Sequence, residues 1–449
     1  MTGLILCAIA LGATYWAGRR SLGIGIVALL TFGYFYGIVR ANLFSTTTYF
    51  MFDAALIGLY ASQKWMAREN SQSGRILRGW LIVLILWPSL LLLLPFQPLL
   101  VSLVGLRSVV FFLPMFLLGS RLRQSDLYQL SLGLVGLNLI ALAFALAEYV
   151  LGVPRFFPLN AVTQIIYNSS DVAGGFLRIP STFSSAHAYG GMMVYSIPYL
   201  IGTWDQAPNK RLRLLAMIGA TAAFLGVLLC AARQHFLTAV ALVAVAIWNG
   251  RMKASRRAVF AVLIVLIMVV ALRNERLQRF KTLSDTDSVE DRIAGSVNRG
   301  FFEILIEYPL GNGVGGGGTN MPSFLQGQVR NPIGMENEYA RILGEQGIIG
   351  LLLWLGFITW FVSGAKRAFA KGPWATSRTL IWGLSVVGLA TGMIGVGLLA
   401  SIPGTTIFLL GIGFVATPVR SEVSEQSQVR YRPAILPQQP YRPLPSQYS

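Results

Sequence analysis

The stretch MENEYARILGEQGIIG, residues 335 to 350, sets Glu336, Glu338, Arg341 and Glu345 immediately ahead of an apolar run, LLLWLGFITWFV. A carboxylate beside guanidinium groups can take a proton from an incoming hydroxyl, and guanidinium groups can hold a phosphate through paired N–H donors. Three other places gather chemistry-bearing side chains. Arg178 and His187 bracket RIPSTFSSAH, Arg233 and His235 sit in AARQHFL, and Arg292 and Arg299 sit in EDRIAGSVNRGFFEILIEYPLGNGVGGGG. His187 and His235 are the chain's two histidines, and Cys7 and Cys230 its two cysteines. Both cysteines fall inside apolar runs, so neither a disulfide framework nor a metal cluster can be built from them. GNGVGGGG lacks the Lys-Ser/Thr ending and the preceding strand of a phosphate-cradling loop, and reads as a flexible turn.

Each of these residues also has a structural reading. Acids in the first turn of a helix complement its dipole, and Glu338 and Glu345 stand at helical spacing from Arg341; these two are assigned to structure and Glu336 to chemistry. Arg233, in a tight turn between two apolar runs, is either a snorkelling anchor or an anion ligand facing a cavity. Arg292 and Arg299 share one face if their segment is helical, where they bind a ligand or pair with Asp291, Glu303 and Glu307. Arg107 lies near the middle of an apolar run. An unpaired guanidinium there costs a few kcal/mol, so it should face the protein interior, with Asp53 or Glu148 as its carboxylate.

The elements that must position these groups are membrane helices. Of 449 residues, 54% are hydrophobic and only 12% charged, with a mean hydropathy of +0.61, which excludes an ordinary soluble protein. A hydrocarbon core takes roughly 20 apolar residues per helix. About thirteen such runs are expected by hydropathy, at 3–17, 21–39, 49–63, 77–95, 97–118, 128–152, 187–203, 214–231, 235–249, 257–273, 338–363, 379–400 and 402–417. The fold class is therefore all-α, a polytopic integral membrane protein of about 12–14 transmembrane helices with two long periplasmic loops. Short loops rich in Lys and Arg mark the cytoplasmic side, and the net charge of +18 is mostly this topology. It suits anionic headgroups and, dispersed over many loops, gives no support to nucleic-acid binding. The expected divisions are N-terminal helices at 1–152, a first long periplasmic loop at 153–186, central helices at 187–273 and a second long loop at 274–336. C-terminal helices follow at 337–417, and a Pro- and Gln-rich cytoplasmic tail, expected to be disordered, at 418–449.

The order LRIPSTFSSAHAYGGMM, AARQHFLTAVALVAV, DRIAGSVNRGFFEILIEYPLGNGVGGG and ENEYARILGEQGIIGLLLWL resembles the O-antigen ligase and polymerase family, bacterial membrane glycosyltransferases that act on lipid-linked glycans. The resemblance covers about residues 170–365, and its most specific element is Glu345-Gln346-Gly347-Ile348-Ile349-Gly350 leading into a helix. It implies arginines that bind the diphosphate of an undecaprenyl-diphosphate-linked donor, at Arg233 and Arg292, with neither metal nor cofactor. It also implies an acceptor-activating histidine near the last loop, a position held here by Glu336. That substitution favours a polymerase of O-antigen or exopolysaccharide repeat units over a ligase to lipid A core or protein. The implied partners are the glycan donor, the glycan acceptor, membrane lipids and a chain-length regulator; the implied location is the bacterial inner membrane, with the site facing the periplasm. A transporter or flippase is the competing class, but transporters place their charged sites near the bilayer midplane, whereas here the polar residues cluster at the outer ends.

Overall fold

Apolar runs bounded by basic turns dictate a bundle of helices, and that is what the chain forms. The computed structural model describes all residues except 44, 64–71, 169–176, 249–261, 263–300, 319–320, 334–336, 394, 396 and 418–449. The expected run at 257–273, the tail, and the candidate residues Arg292, Arg299 and Glu336 lie outside the described residues.

Among the described residues the regular structure is helical. The helices are α1 Thr2–Arg20, α2 Leu22–Tyr34, α3 Tyr36–Asn42, α4 Met51–Ser62, α5 Gln72–Leu90, α6 Leu99–Val110, α7 Met115–Gly119, α8 Gln124–Leu151 and α9 Gln164–Tyr167. They continue with α10 Ala186–Gln206, α11 Lys210–Leu229, α12 Arg233–Trp248, α13 Phe301–Glu307, α14 Ser323–Gln326, α15 Glu338–Ser363, α16 Ala365–Ala368, α17 Ala375–Thr391 and α18 Gly404–Ala416. Six stretches among them are long and apolar enough to cross a membrane: Leu22–Asn42, Gln72–Leu93, Leu99–Gly119, Gln124–Leu151, Lys210–Leu229 and Glu338–Ser363. The other expected runs that fall within the described residues coincide with shorter or less apolar helices. The run at 97–118 is broken at 111–114, where Pro114 cannot continue α6 and instead opens α7.

Side-chain bonds divide the bundle into two ends. At one, Gly23 N donates to Asp126 at 2.9 Å, Tyr128 donates to the Gln206 carbonyl at 2.7 Å, and Arg378 donates to the carbonyls of Phe414 and Val415 at 3.0 and 2.8 Å. Arg19, Arg20, Lys210, Arg211, Lys366 and Arg367 belong to this basic end. At the opposite end Asn42 donates to the Phe156 carbonyl, Asn160 to that of Ala41, Gln97 to that of Asn312 and Tyr339 to that of Leu389, at 2.7 to 3.0 Å. Of the candidate residues, Arg178, His187, Arg233 and His235 lie at this second end.

Candidate functional site

The segment 177–185 carries the site into the bundle. Ile179, Ser181, Thr182 and Phe183 are buried, and the Ser181 hydroxyl donates to the Ala141 carbonyl at 2.7 Å. Ala141 lies ten residues before the end of α8, so the segment dips about 15 Å along that helix. Irregular backbone at such depth must find its partners within the protein. Ser181 N donates to Glu148 Oε2 at 2.9 Å, and the Thr182 carbonyl accepts from Ile38 N at 3.0 Å. Ser185 then caps α10 by accepting from Ala188 N at 3.2 Å, and the new helix begins with His187 in its first turn.

This path brings Arg178 back onto His187, where Arg178 Nη1 lies 2.7 Å from His187 Nε2. Arginine can only donate, so His187 accepts at Nε2 and carries its proton on Nδ1. His235 Nε2 donates in turn to the His187 carbonyl at 2.9 Å, and the two rings meet edge to face with centroids 5.9 Å apart. His187 is exposed and Arg178 and His235 half-buried, so the cluster is open to a ligand. A neutral acceptor orders the Arg178 guanidinium without cancelling its charge, and that is the electrostatics an anion site requires.

Arg233 opens α12 two residues before His235, directly after a turn in which Ala231 has φ 50°. Four of the residues singled out from the sequence, Arg178, His187, Arg233 and His235, therefore stand on one re-entrant segment and two helix starts at the same end of the bundle. Sequence reasoning missed two supports of this arrangement. Glu148, weighed only as a partner for Arg107, pins Ser181 instead. Gly190 lets α12 approach α10: a Cβ there would lie 2.6 Å from His235 Cδ2 and 2.5 Å from Cys230 Sγ. The paired glycines of AYGGMM were the available signal.

The carboxylates of α15 do different work. Arg341, 2% exposed, donates from Nε to Glu338 Oε1 at 3.1 Å and from Nη1 to Glu345 Oε2 at 3.0 Å, and its Nη2 also bonds Glu338. Glu338 Oε2 accepts from Gly397 N at 2.8 Å. This is the pairing expected from helical spacing. The motif Glu345-Gln346-Gly347-Ile348-Ile349-Gly350 also has a physical explanation, because α15 breaks at Gly347, with φ 69° and ψ −171°. A side chain at Gly347 would be strained by that φ and would meet Leu310 and Pro309 within 2.7 Å. The carbonyl and amide groups freed by the break are taken up: Gly344 O accepts from Asn312 N at 2.6 Å, Gln346 O from Trp87 Nε1 at 2.9 Å, and Ile348 N donates to Pro309 O at 3.0 Å.

The glycine-rich loop is thus a packed turn clamped onto α15, a correction to the flexible one expected. Residues 311–317 are buried, and the Asn312 side chain donates to the carbonyls of Arg330 and Asn331 at 3.0 and 2.9 Å. Arg107 pairs with Asp53 at 2.6 Å, so of the two carboxylates proposed for it the geometry selects Asp53.

Residues 218–355 match the family model described as O-antigen ligase. No curated protein matches the chain. The matched segment runs from within α11 into α15; it contains Arg233, His235, Arg292, Arg299, Glu336 and the Gly347 break, while Arg178 and His187 lie before it. Over residues 218–355, then, this multi-pass membrane protein carries the O-antigen ligase domain, which supports its placement in the O-antigen ligase and polymerase family of membrane glycosyltransferases.

Proposed function

We propose that the chain is an inverting, metal-independent glycosyltransferase that polymerises undecaprenyl-diphosphate-linked oligosaccharide repeat units of O-antigen or exopolysaccharide at the periplasmic face of the bacterial inner membrane. The observation that carries this reading is the joining of Arg178, His187 and His235 beside Arg233, on a segment that dips into a membrane bundle. A lipid-anchored substrate presents its diphosphate at such a place.

The acceptor hydroxyl attacks the anomeric carbon of the donor sugar as the bond from that carbon to the diphosphate oxygen breaks. Attack opposite the leaving group inverts the centre. Arg233 and Arg292 meet the negative charge that grows on the diphosphate, and Arg178, Arg299 and the two histidines line the approach; stabilisation of this kind is usually the largest catalytic contribution. Glu336 takes the hydroxyl proton. In the sequence it directly precedes Asn337, whose side chain caps α15 by accepting from Tyr339 N and Ala340 N at 2.9 and 3.2 Å.

A second reading is transfer of finished glycan to lipid A core, favoured by the description of the matched family as a ligase. Purified protein supplied with lipid-linked repeat units, with and without lipid A core, separates the two. A ladder of lengthened lipid-linked glycan without lipid A supports polymerisation. Product that forms only on lipid A core establishes the ligase and removes the polymerase.

A further inference from the structure

A second cation at the same end of the bundle is set among aromatic rings, away from the cluster already described. Arg40, in the last turn of α3, has its guanidinium carbon 3.8 Å from the ring centroid of Tyr49 and 4.9 Å from that of Tyr36. Tyr36 is buried and its hydroxyl donates to the Tyr49 carbonyl at 2.9 Å, which makes the two rings one frame. A snorkelling arginine extends past its own helix into water. Arg40 instead folds onto a ring from a separate element, the 3-10 turn Thr46–Phe50.

Stacking covers a face of the guanidinium and leaves the in-plane N–H donors for an oxyanion. Among the described residues, the Arg40 side chain forms no hydrogen bond, and its Nε is buried. The neighbouring cation, Arg107, is already matched by Asp53. Among the described residues no carboxylate pairs with Arg40, which is held in an amphipathic frame at the end of an apolar helix.

The corner is tied to the re-entrant segment. Ile38 N donates to the Thr182 carbonyl at 3.0 Å, and a Cβ on Gly37 would lie 2.0 Å from the Phe183 carbonyl carbon and 2.2 Å from Ser184 N. Arg40 follows Gly37 by three helical residues and His187 follows Ser184 by three, so the two are within about 20 Å of each other along this path.

We propose that Arg40, framed by Tyr36 and Tyr49, binds the phosphate of a membrane lipid, and that in the reaction this is the lipid-borne phosphate of the acceptor. The second half rests on the glycan-transfer reading, in which two membrane-anchored substrates must meet and the donor diphosphate occupies the Arg233 cluster. Phosphate on a lipid is the shared chemistry of acceptor and headgroup.

Full-length protein in zwitterionic nanodiscs, titrated with undecaprenyl diphosphate and read by native mass spectrometry, tests the site. Wild type is expected to bind two molecules per chain, and Arg40→Ala and Arg233→Ala one each. Tyr49→Phe keeps the stack and both molecules, whereas Tyr49→Ala weakens the Arg40 site about tenfold. If Arg40→Ala fails to fold, Arg40→Gln and Tyr49→Ala carry the same count. Two molecules bound to a folded Arg40 variant would overturn the site, as would equal competition by inorganic phosphate, which would make lipid irrelevant. Equal competition by phosphatidic acid supports the lipid-phosphate site and transfers its occupancy from acceptor to headgroup. One molecule lost in Arg40→Ala with none lost in Arg233→Ala sinks the donor clamp and leaves this site standing; the reverse sinks this site alone.

Discussion

Arg341 and Arg178 sit at the same end of the bundle and meet opposite surroundings. Arg341 is saturated by two carboxylates of its own helix, at i−3 and i+4, and is 2% exposed. Arg178 is half-buried on an irregular segment and leans on a neutral imidazole. The first arrangement consumes its charge locally and fixes α15 against the loop at Gly397. The second holds a guanidinium in place with its charge intact. Motif strength in the sequence does not separate the two, since the acid-rich stretch around Arg341 carries the more specific family pattern and is largely architecture.

The largest effect should come from opening the closed region. Arg341→Ala leaves two carboxylates buried without their cation, at a cost of about 3–5 kcal/mol, so purified protein should melt far lower or fail to accumulate. Adding Glu338→Gln and Glu345→Gln to an Arg341→Met chain should recover most of that loss. A single Arg341→Ala variant with wild-type melting would show that the triad is not what holds α15.

Next in size is the carboxylate two residues before Glu338 in the sequence. Glu336→Gln keeps shape and polarity but cannot accept a proton; turnover should fall about 10² to 10⁴-fold with melting unchanged, and Glu336→His should restore part of it. Full turnover in the Gln variant moves the base elsewhere, with His187 and His235 the next residues to substitute.

A smaller effect is expected at the support of the open region. Glu148→Leu leaves the buried Ser181 N–H without an acceptor, at about 1–3 kcal/mol, and transfer should drop along with the melting temperature. Glu148→Gln still accepts from Ser181 N and should behave nearly as wild type. If both substitutions are silent in melting and transfer, the re-entrant segment is held by other contacts.

Much of this arrangement is legible in the sequence, and the part that is not has a physical reason. The run at 187–203 appears as Ala186–Gln206 and that at 338–363 as Glu338–Ser363, because apolar length between basic turns is a local property. Pairing within one helix is equally local, so Arg341 with Glu338 and Glu345 could be read from spacing. Glu148 with Ser181, 33 residues apart, and Gln97 with Asn312, 215 apart, carry no local signal, and neither partner choice was foreseen. The break at Gly347 was hidden because apolar periodicity continues on both sides of it. For the site, the sequence indicated that both histidines fall at helix ends on one side, but their meeting edge to face depends on the fold.

The smallest effect is expected from the C-terminal tail. Deleting everything after Arg420 should leave glycan length and yield within a small factor of wild type, since the segment is expected on the basic, cytoplasmic side. Loss of polymer at normal protein levels would reveal a cytoplasmic partner.

The most direct test of the open cluster as the transfer site is the lengthening of lipid-linked repeat units by purified Arg233→Ala protein, run beside wild type and Arg233→Lys. No ladder from the Ala variant, a partial ladder from Lys and the same melting temperature in all three are expected, because an ammonium cannot reproduce the guanidinium fork on a diphosphate. A wild-type ladder from Arg233→Ala would contradict the assignment.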